Sequence, residues 1–497
     1  MNQLFAKKSL AQLNDEMKKD DRMNRVIDKW GLTSLGVGAI IGTGIFVLTG
    51  VAAHDKAGPA LMVSFVVAGI ACIFAALCYA EFAAMAPVAG SAYTYAYATL
   101  GELFAWIIGW DLVLEYAVGA STVAHGWSHY FQDFIGIFGQ SIPKVLSNAP
   151  FDYNPATGIL ESTGTWLDLP ALIITGIITM ILVLGIKEST RFNNAMVIVK
   201  LAVVFFVIVV GAFYVKLENY SNFAPFGYGG ITFFGMGGSS VGVLAGASTI
   251  FFAYIGFDSV STHSEEAKNP QKDVPFGIIV SLILCTILYI AVAAVLTGMV
   301  RYDKINVDAP VSDAFRQVGL PWAQGLISLG ALTGITSVLL VMMLSQPRVL
   351  LAMARDGLLP PSFFGAIHSK FRTPWKSTIL TGICVGVMGA FLPLRILAEL
   401  VNIGTLLAFV IVCAAVLIMR RINPDAPRPF RAPFVPVTPI LGILTCLMLM
   451  FSLPAENWAR LVVWLGIGFA IYFTYGIRHS HLAHPELKPG TTDSLLE

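Results

Sequence analysis

The chain has 497 residues, of which 56% are apolar and 12% charged, and its mean hydropathy is +0.75. Soluble folds carry about a quarter charged residues, so this composition argues against a soluble enzyme. A formal net charge of +1 argues against nucleic acid as a partner, and a chain so poor in polar residues is not disordered.

A membrane-crossing helix takes roughly 20 apolar residues. Twelve long apolar runs are visible, near 33–53, 60–84, 104–128, 168–186, 195–217, 240–262, 275–299, 322–346, 376–394, 397–419, 434–453 and 457–476. Residues 1–30 are highly charged and lack a signal peptide's short apolar core and cleavage site, so they read as a partly helical cytoplasmic tail. Residues 31–477 form the transmembrane domain and 478–497 a second cytoplasmic tail. The longest connection, about 129–167, is expected to hold one short surface helix. With both ends placed on one side, 22 of the 31 Lys and Arg fall on that side, eight on the other, and Lys200 inside a run. Positive charge is retained on the cytoplasmic side, so both termini are placed inside the cell.

The first run contains GVGAIIGTGIF, with Gly36, Gly38, Gly42 and Gly44 crowded together. Small residues can serve close helix packing. Yet Gly42-Thr43-Gly44 falls at mid-membrane, where irregular backbone is tolerated only against protein or a wet cavity. The half-helix after such a break would point its positive end at an anionic group. The sixth run, GASTIFFAYIGFDSVS, is interrupted by Gly256 in the same way, and its freed carbonyls would accept from an ammonium group. Two interrupted spans, five apart, point to an inverted-repeat transporter.

Three ionisable residues interrupt apolar runs, each costing at least roughly 2.5 kcal/mol on insertion. Glu115, halfway along the third run, is either a carboxyl hydrogen-bonded within the bundle or a proton carrier; Asp111 extends the same stripe. Lys200, five residues into the fifth run, either snorkels to the inner interface or reaches carbonyls freed at the first break, at the depth of Gly38. Asp258, near the cytoplasmic end of the sixth run, is equally a structural cap or a proton-coupling acid. His125 reads as a lone interfacial histidine, and His479, His481 and His484 as solvated. The segment RINPDAPRPFRAPFVP reads as a cytoplasmic connection with basic residues at the headgroups. The six cysteines lie in apolar runs without CxxC pairs and read as free buried thiols. No metal or cofactor is expected, and neither a Walker motif nor a nucleophile–base set is visible.

Taken together, GAIIGTGIFVLTG, YAEFAAMAPVAGSAYTYAYATLGELFAWIIGWDLVLEY and FFAYIGFDSVSTHSEEAKNPQKDVPFGI resemble the amino acid–polyamine–organocation superfamily. Within it the chain is most similar to the bacterial cationic amino acid transporter branch, from about Leu32 to Ile477. The stretch with Glu81, Pro87, Gly90, Tyr93, Tyr95 and Gly101 matches the pattern of the second span and the loop after it. The resemblance implies an all-α polytopic fold of twelve helices: a five-plus-five inverted repeat, with helices 1 and 6 discontinuous, and two added C-terminal helices. It implies that Thr43 and Gly44 bind a substrate carboxylate, that carbonyls of Ile40, Phe252 and Ile255 bind its amine, and that Phe252 gates the site. It matches Lys200 to a lysine standing in for sodium, and Glu115 and Asp258 to acids linked to proton coupling. The implied function is proton-coupled symport of L-amino acids, neutral or small ones, across the cell membrane by alternating access. The alternatives are a sodium-independent exchanger or a cationic amino acid uniporter of the same fold, and, in another class, a membrane sensor. The implied partners are amino acids, protons and the lipid bilayer, with room for a small membrane-protein partner.

Overall fold

The computed structural model describes residues 3–8, 27–85, 91–154, 159–185, 189–233, 240–264, 267–371 and 373–484. Most of the charged N-terminal tail, Pro87 and Gly90 of the second-span motif, and the last thirteen residues lie outside them. The fold is predominantly helical. Among the described residues eight helices are long and apolar enough to cross a membrane, and three further apolar helices are shorter.

The principal helices are α1 (Lys29–Ile40), α2 (Leu61–Met85), α3 (Ser91–Thr99), α4 (Glu102–Gly136), α5 (Leu169–Leu184), α6 (Ser189–Ala212), α7 (Val243–Ile250) and α8 (Ser259–Thr262). They continue as α9 (Pro270–Met299), α10 (Pro310–Gln317), α11 (Pro321–Arg355), α12 (Trp375–Phe391), α13 (Leu394–Ile422), α14 (Val437–Phe451) and α15 (Ala455–Ile471). Asp28 caps α1 and Asp168 caps α5, each accepting a first-turn amide, the usual way an N-terminal donor is satisfied. Two sets of helices pack side by side. In one, α9 lies along α2 and α1, with α7 on α2; in the other, α4 packs on α11, α12 packs on α5 and α4, and α13 joins α4.

Several expectations are corrected. The 129–167 connection holds no surface α-helix among its described residues beyond the end of α4. Instead it carries a 3-10 turn at Lys144–Leu146 and an antiparallel pair, Phe151–Asn154 with Ile159–Ser162. The alternation of bulky and polar residues in FDYN suits a pleated strand better than a helix. The third run extends much further than 104–128, because α4 continues through a half-buried aromatic face to Gly136. Cys384 is exposed on the outside of α12, whereas the other five cysteines are buried.

The last turn of α13 and the segment after it are tied to α2. Arg420 and Arg428 turn inward to Glu81 on α2. Arg420 donates to both carboxylate oxygens at 3.0 and 2.6 Å, Arg428 Nε lies 3.3 Å away, and the Ala432 amide donates at 2.8 Å. Removing one member of such a buried network strands the others, at a cost of about 3–5 kcal/mol. Glu81→Ala is therefore expected to lower the Tm of detergent-purified protein by several degrees; an unchanged melting curve would show that Glu81 does not tie α2 to the chain after α13.

Candidate functional site

The centre of the molecule is where two helices stop and restart. The first ends at Ile40; Ile41 is extended (ψ 102°), and helical backbone resumes at Thr43. The amide of Phe46 then returns to the carbonyl of Gly42 at 3.2 Å. The second tightens from α7 into a 3-10 turn over Phe251–Tyr254, runs through extended Ile255 (ψ 136°) and reverses at Gly256, whose φ is +117°. A side chain at that φ is strained, which is why glycine stands there. The helical path is interrupted at Ile41–Gly42, just ahead of Thr43, and at Ile255–Gly256.

The two breaks touch. A Cβ on Gly44 would lie 2.3 Å from Ala253 Cα, and one on Gly256 would lie 2.8 Å from the Ala39 carbonyl. Tyr289 of α9 spans the junction, its hydroxyl 2.8 Å from the Ile40 carbonyl and 2.9 Å from that of Ala253. A hydroxyl has one proton to donate, so the two carbonyls share it and keep acceptor capacity. The Phe252 carbonyl accepts the Ile255 amide at 3.2 Å, which leaves its second lone pair. Asn402 of α13 donates to the carbonyls of Ser248 and Thr249, at 2.8 and 3.2 Å, near the end of α7. Thr43 is buried, and its hydroxyl has no hydrogen-bond partner among the described residues. A polar atom left so in a protein interior costs about 1–3 kcal/mol, so a ligand group that met it would be held well.

Lys200 does not snorkel. Its side chain is buried, and Nζ donates to the carbonyls of Gly38 (2.6 Å) and Ile41 (3.0 Å) and to Ser337 Oγ of α11 (2.9 Å). The ammonium has three protons, and three acceptors surround it. One side chain of α6 therefore pins the first helix break to α11.

Glu115 and Asp258 are brought together elsewhere. Both are buried; Glu115 faces the Asp258 carboxyl, the Thr405 hydroxyl of α13 and, one turn back, Asp111. Asp258 Oδ2 accepts the Tyr116 hydroxyl at 2.6 Å, while its Oδ1 and Glu115 Oε1 have no hydrogen-bond partner among the described residues. Neither acid is among the groups bonded to Lys200. Tyr289, Ser337, Tyr116 and Asn402 were not singled out in the sequence. Only Asn402 carried a signal there, as an amide inside an apolar run.

A bundle of apolar helices built around two broken ones, with unpaired polar groups at the junction, is an integral membrane protein organised to meet a small polar molecule. The sequence pattern described as "Amino acid permease" matches residues 27–473. The chain belongs to the amino acid permease family, a family of transporters and not of enzymes. It is 48% identical over 480 residues to the branched-chain amino acid permease BcaP of Bacillus subtilis (strain 168), covering 96% of this chain and 99% of that one. It is 47% identical over 482 residues to the methylthioribose transporter of the same organism, covering 97% and 100%. The vacuolar cationic amino acid transporter 4 of Arabidopsis thaliana is 39% identical over 434 residues, covering 86% of this chain and 68% of the relative.

Proposed function

We propose that the chain is a proton-coupled symporter of neutral L-amino acids in the cell membrane, working by alternating access. In this reading the twelve spans form a five-plus-five inverted repeat with two added helices. Residues 1–30 and 478–497 face the cytoplasm, and 31–477 carry the transport path. The substrate carboxylate sits on Thr43 and Gly44, at the positive end of the half-helix that starts there. Its ammonium takes the free lone pairs of the Ile40, Phe252 and Ile255 carbonyls, with Phe252 as the aromatic gate. Lys200 stands where a sodium ion would otherwise hold the break, and Lys200, Glu115 and Asp258 together carry the proton coupling: Lys200 as the switch at the break, and the two facing carboxyls, without a cation between them, as a natural place to keep a proton.

The observation that carries this reading is the Thr43 hydroxyl, buried and unpartnered beside the first break. Thr43→Val keeps the shape and removes the oxygen. It is expected to weaken substrate binding about tenfold, the worth of one hydrogen bond to a charged group. Unchanged affinity would remove Thr43 from the site.

A neutral side chain is favoured because the basic group at the first break, Lys200, is spent on the protein's own acceptors, and none of those acceptors is a carboxylate. The relative named for branched-chain amino acids fits this. The relative named for methylthioribose, nearly as similar, favours a second reading, a neutral thio-sugar. Competition against a labelled branched-chain amino acid, with the twenty amino acids and methylthioribose as competitors, separates the two. Uptake into proteoliposomes with and without an imposed pH gradient separates symport from exchange or cationic uniport.

A further inference from the structure

His125 is not the lone interfacial histidine of the sequence reading. It and His129 are one turn apart on α4, their rings 4.7 Å apart. Asp168, wholly buried at the head of α5, reaches between the helices. One of its oxygens caps α5 by accepting the Ala171 amide at 3.1 Å. The other stands 3.1 Å from His125 Nδ1 without completing a hydrogen bond, that nitrogen being paired with the Gly389 carbonyl at 3.3 Å, which leaves Nε2 as the ligand atom of His125. One donor atom from each of His125, His129 and Asp168 lies within 4.8 Å of the others. Asp308, whose side chain is 64% exposed, stands on the solvent side with Oδ1 3.2 Å from His129 Nδ1. Among the described residues, the Nδ1 of His129 completes no hydrogen bond.

We propose that His125, His129 and Asp168, closed by Asp308, form a binding site for a divalent cation of the zinc class. Two imidazoles and a carboxylate are a ligand set for zinc rather than for magnesium or calcium, which take oxygen donors. Tetrahedral zinc has bonds of about 2.0–2.2 Å, so the four groups need to draw together by small side-chain rotations. Asp168 is fixed by its cap, the histidines share one helix face, and the exposed Asp308 is the group free to close the site.

The site would bear on transport. Gly126, next to His125, is where α4 meets Thr43: a Cβ there would lie 2.5 Å from Thr43 Cγ2. Asp308 immediately precedes the segment that covers the restarted first helix, where Pro310 lies 2.6 Å from a Cβ built on Gly50. A bound cation would therefore tie α4, α5 and this segment together and slow any motion that parts them. This consequence rests on the transport reading above; the binding does not.

Titration of the detergent-purified full chain with zinc chloride is expected to show one saturable site that survives His479→Gln/His484→Gln in the tail. It should weaken at least tenfold in His125→Gln and in Asp168→Asn. Asparagine preserves the cap, so Asp168→Asn decides the matter if His125→Gln does not fold. No saturable zinc binding, binding unchanged in Asp168→Asn, or magnesium binding as tightly as zinc would each overturn the site. In proteoliposomes zinc should slow uptake several-fold in the parent chain and not in Asp168→Asn. Zinc binding without that inhibition would keep the site and reject its link to transport.

Discussion

Replacing Lys200 by alanine is expected to abolish substrate accumulation driven by a pH gradient, down to the level of protein-free liposomes. The reason is the count of protons on one nitrogen. As an ammonium, Lys200 supplies three donors, and the carbonyls of Gly38 and Ile41 and the Ser337 hydroxyl take all three. Loss of one proton would leave two donors and a lone pair, and the lone pair would face an acceptor. The first helix break would then be held less firmly to α11. On the proposed reading, a change of one proton on Lys200 would change how the break is held, which is what coupling substrate to protons would require. Alanine removes both states of the switch and leaves two main-chain carbonyls at the break without their donor. Each lost bond to a charged group is worth about 1.5–3 kcal/mol, so substrate affinity should also fall roughly ten- to a hundredfold. Lys200→Met keeps the length of the side chain and should lose coupling with less loss of binding. Full pH-driven accumulation by either variant would refute the role.

The parts of this site that stood out in the sequence are those that break a local rule. Four glycines within one apolar run, a glycine before Asp258 in another, and single charges at mid-membrane are each expensive, so each asks for a compensating environment. Their positions pointed to the interruptions at Ile41–Gly42 and Ile255–Gly256, and the depth of Lys200 pointed to Gly38. The compensating partners obey local rules and give no such signal. Tyr289 is one more aromatic in an apolar helix until its hydroxyl is seen between Ile40 and Ala253. Ser337 lies on a helix whose small residues suit packing, and nothing in its neighbourhood announces an ammonium. Asp168 and His125 are 43 positions apart in the chain and meet only because α5 docks beside α4. The turning inward of Arg420 and Arg428 was likewise invisible, because a basic segment beside a membrane helix has an ordinary explanation at the headgroups.

Gly44→Ala is expected to have the second large effect, loss of substrate binding by a hundredfold or more. At most of the described glycines with a close neighbour, an added methyl group would press first on a side chain. At Gly44 it would lie 2.3 Å from Ala253 Cα and 3.0 Å from the Ala253 amide nitrogen. Main chain of the second broken helix cannot turn aside, so the two interrupted helices must separate where Gly44 meets Ala253. Overpacking of this kind costs about 1–3 kcal/mol in an ordinary core. Here the displacement would also pull Thr43 and the Ile40 carbonyl away from the carbonyl of Phe252, so on the proposed reading the groups that hold the two ends of the substrate would no longer fit it together. Gly466→Ala is the matched control: it adds the same methyl group on α15 with nothing within 4 Å, and as a helix-interior change it should be neutral or slightly stabilising. Both variants should be compared for melting temperature and for equilibrium binding of labelled substrate. Gly44→Ala that folds and binds like the parent would mean that the contact between the two breaks does not form the substrate site. The Thr43 and Lys200 roles, which depend on the same junction, would then fall with it.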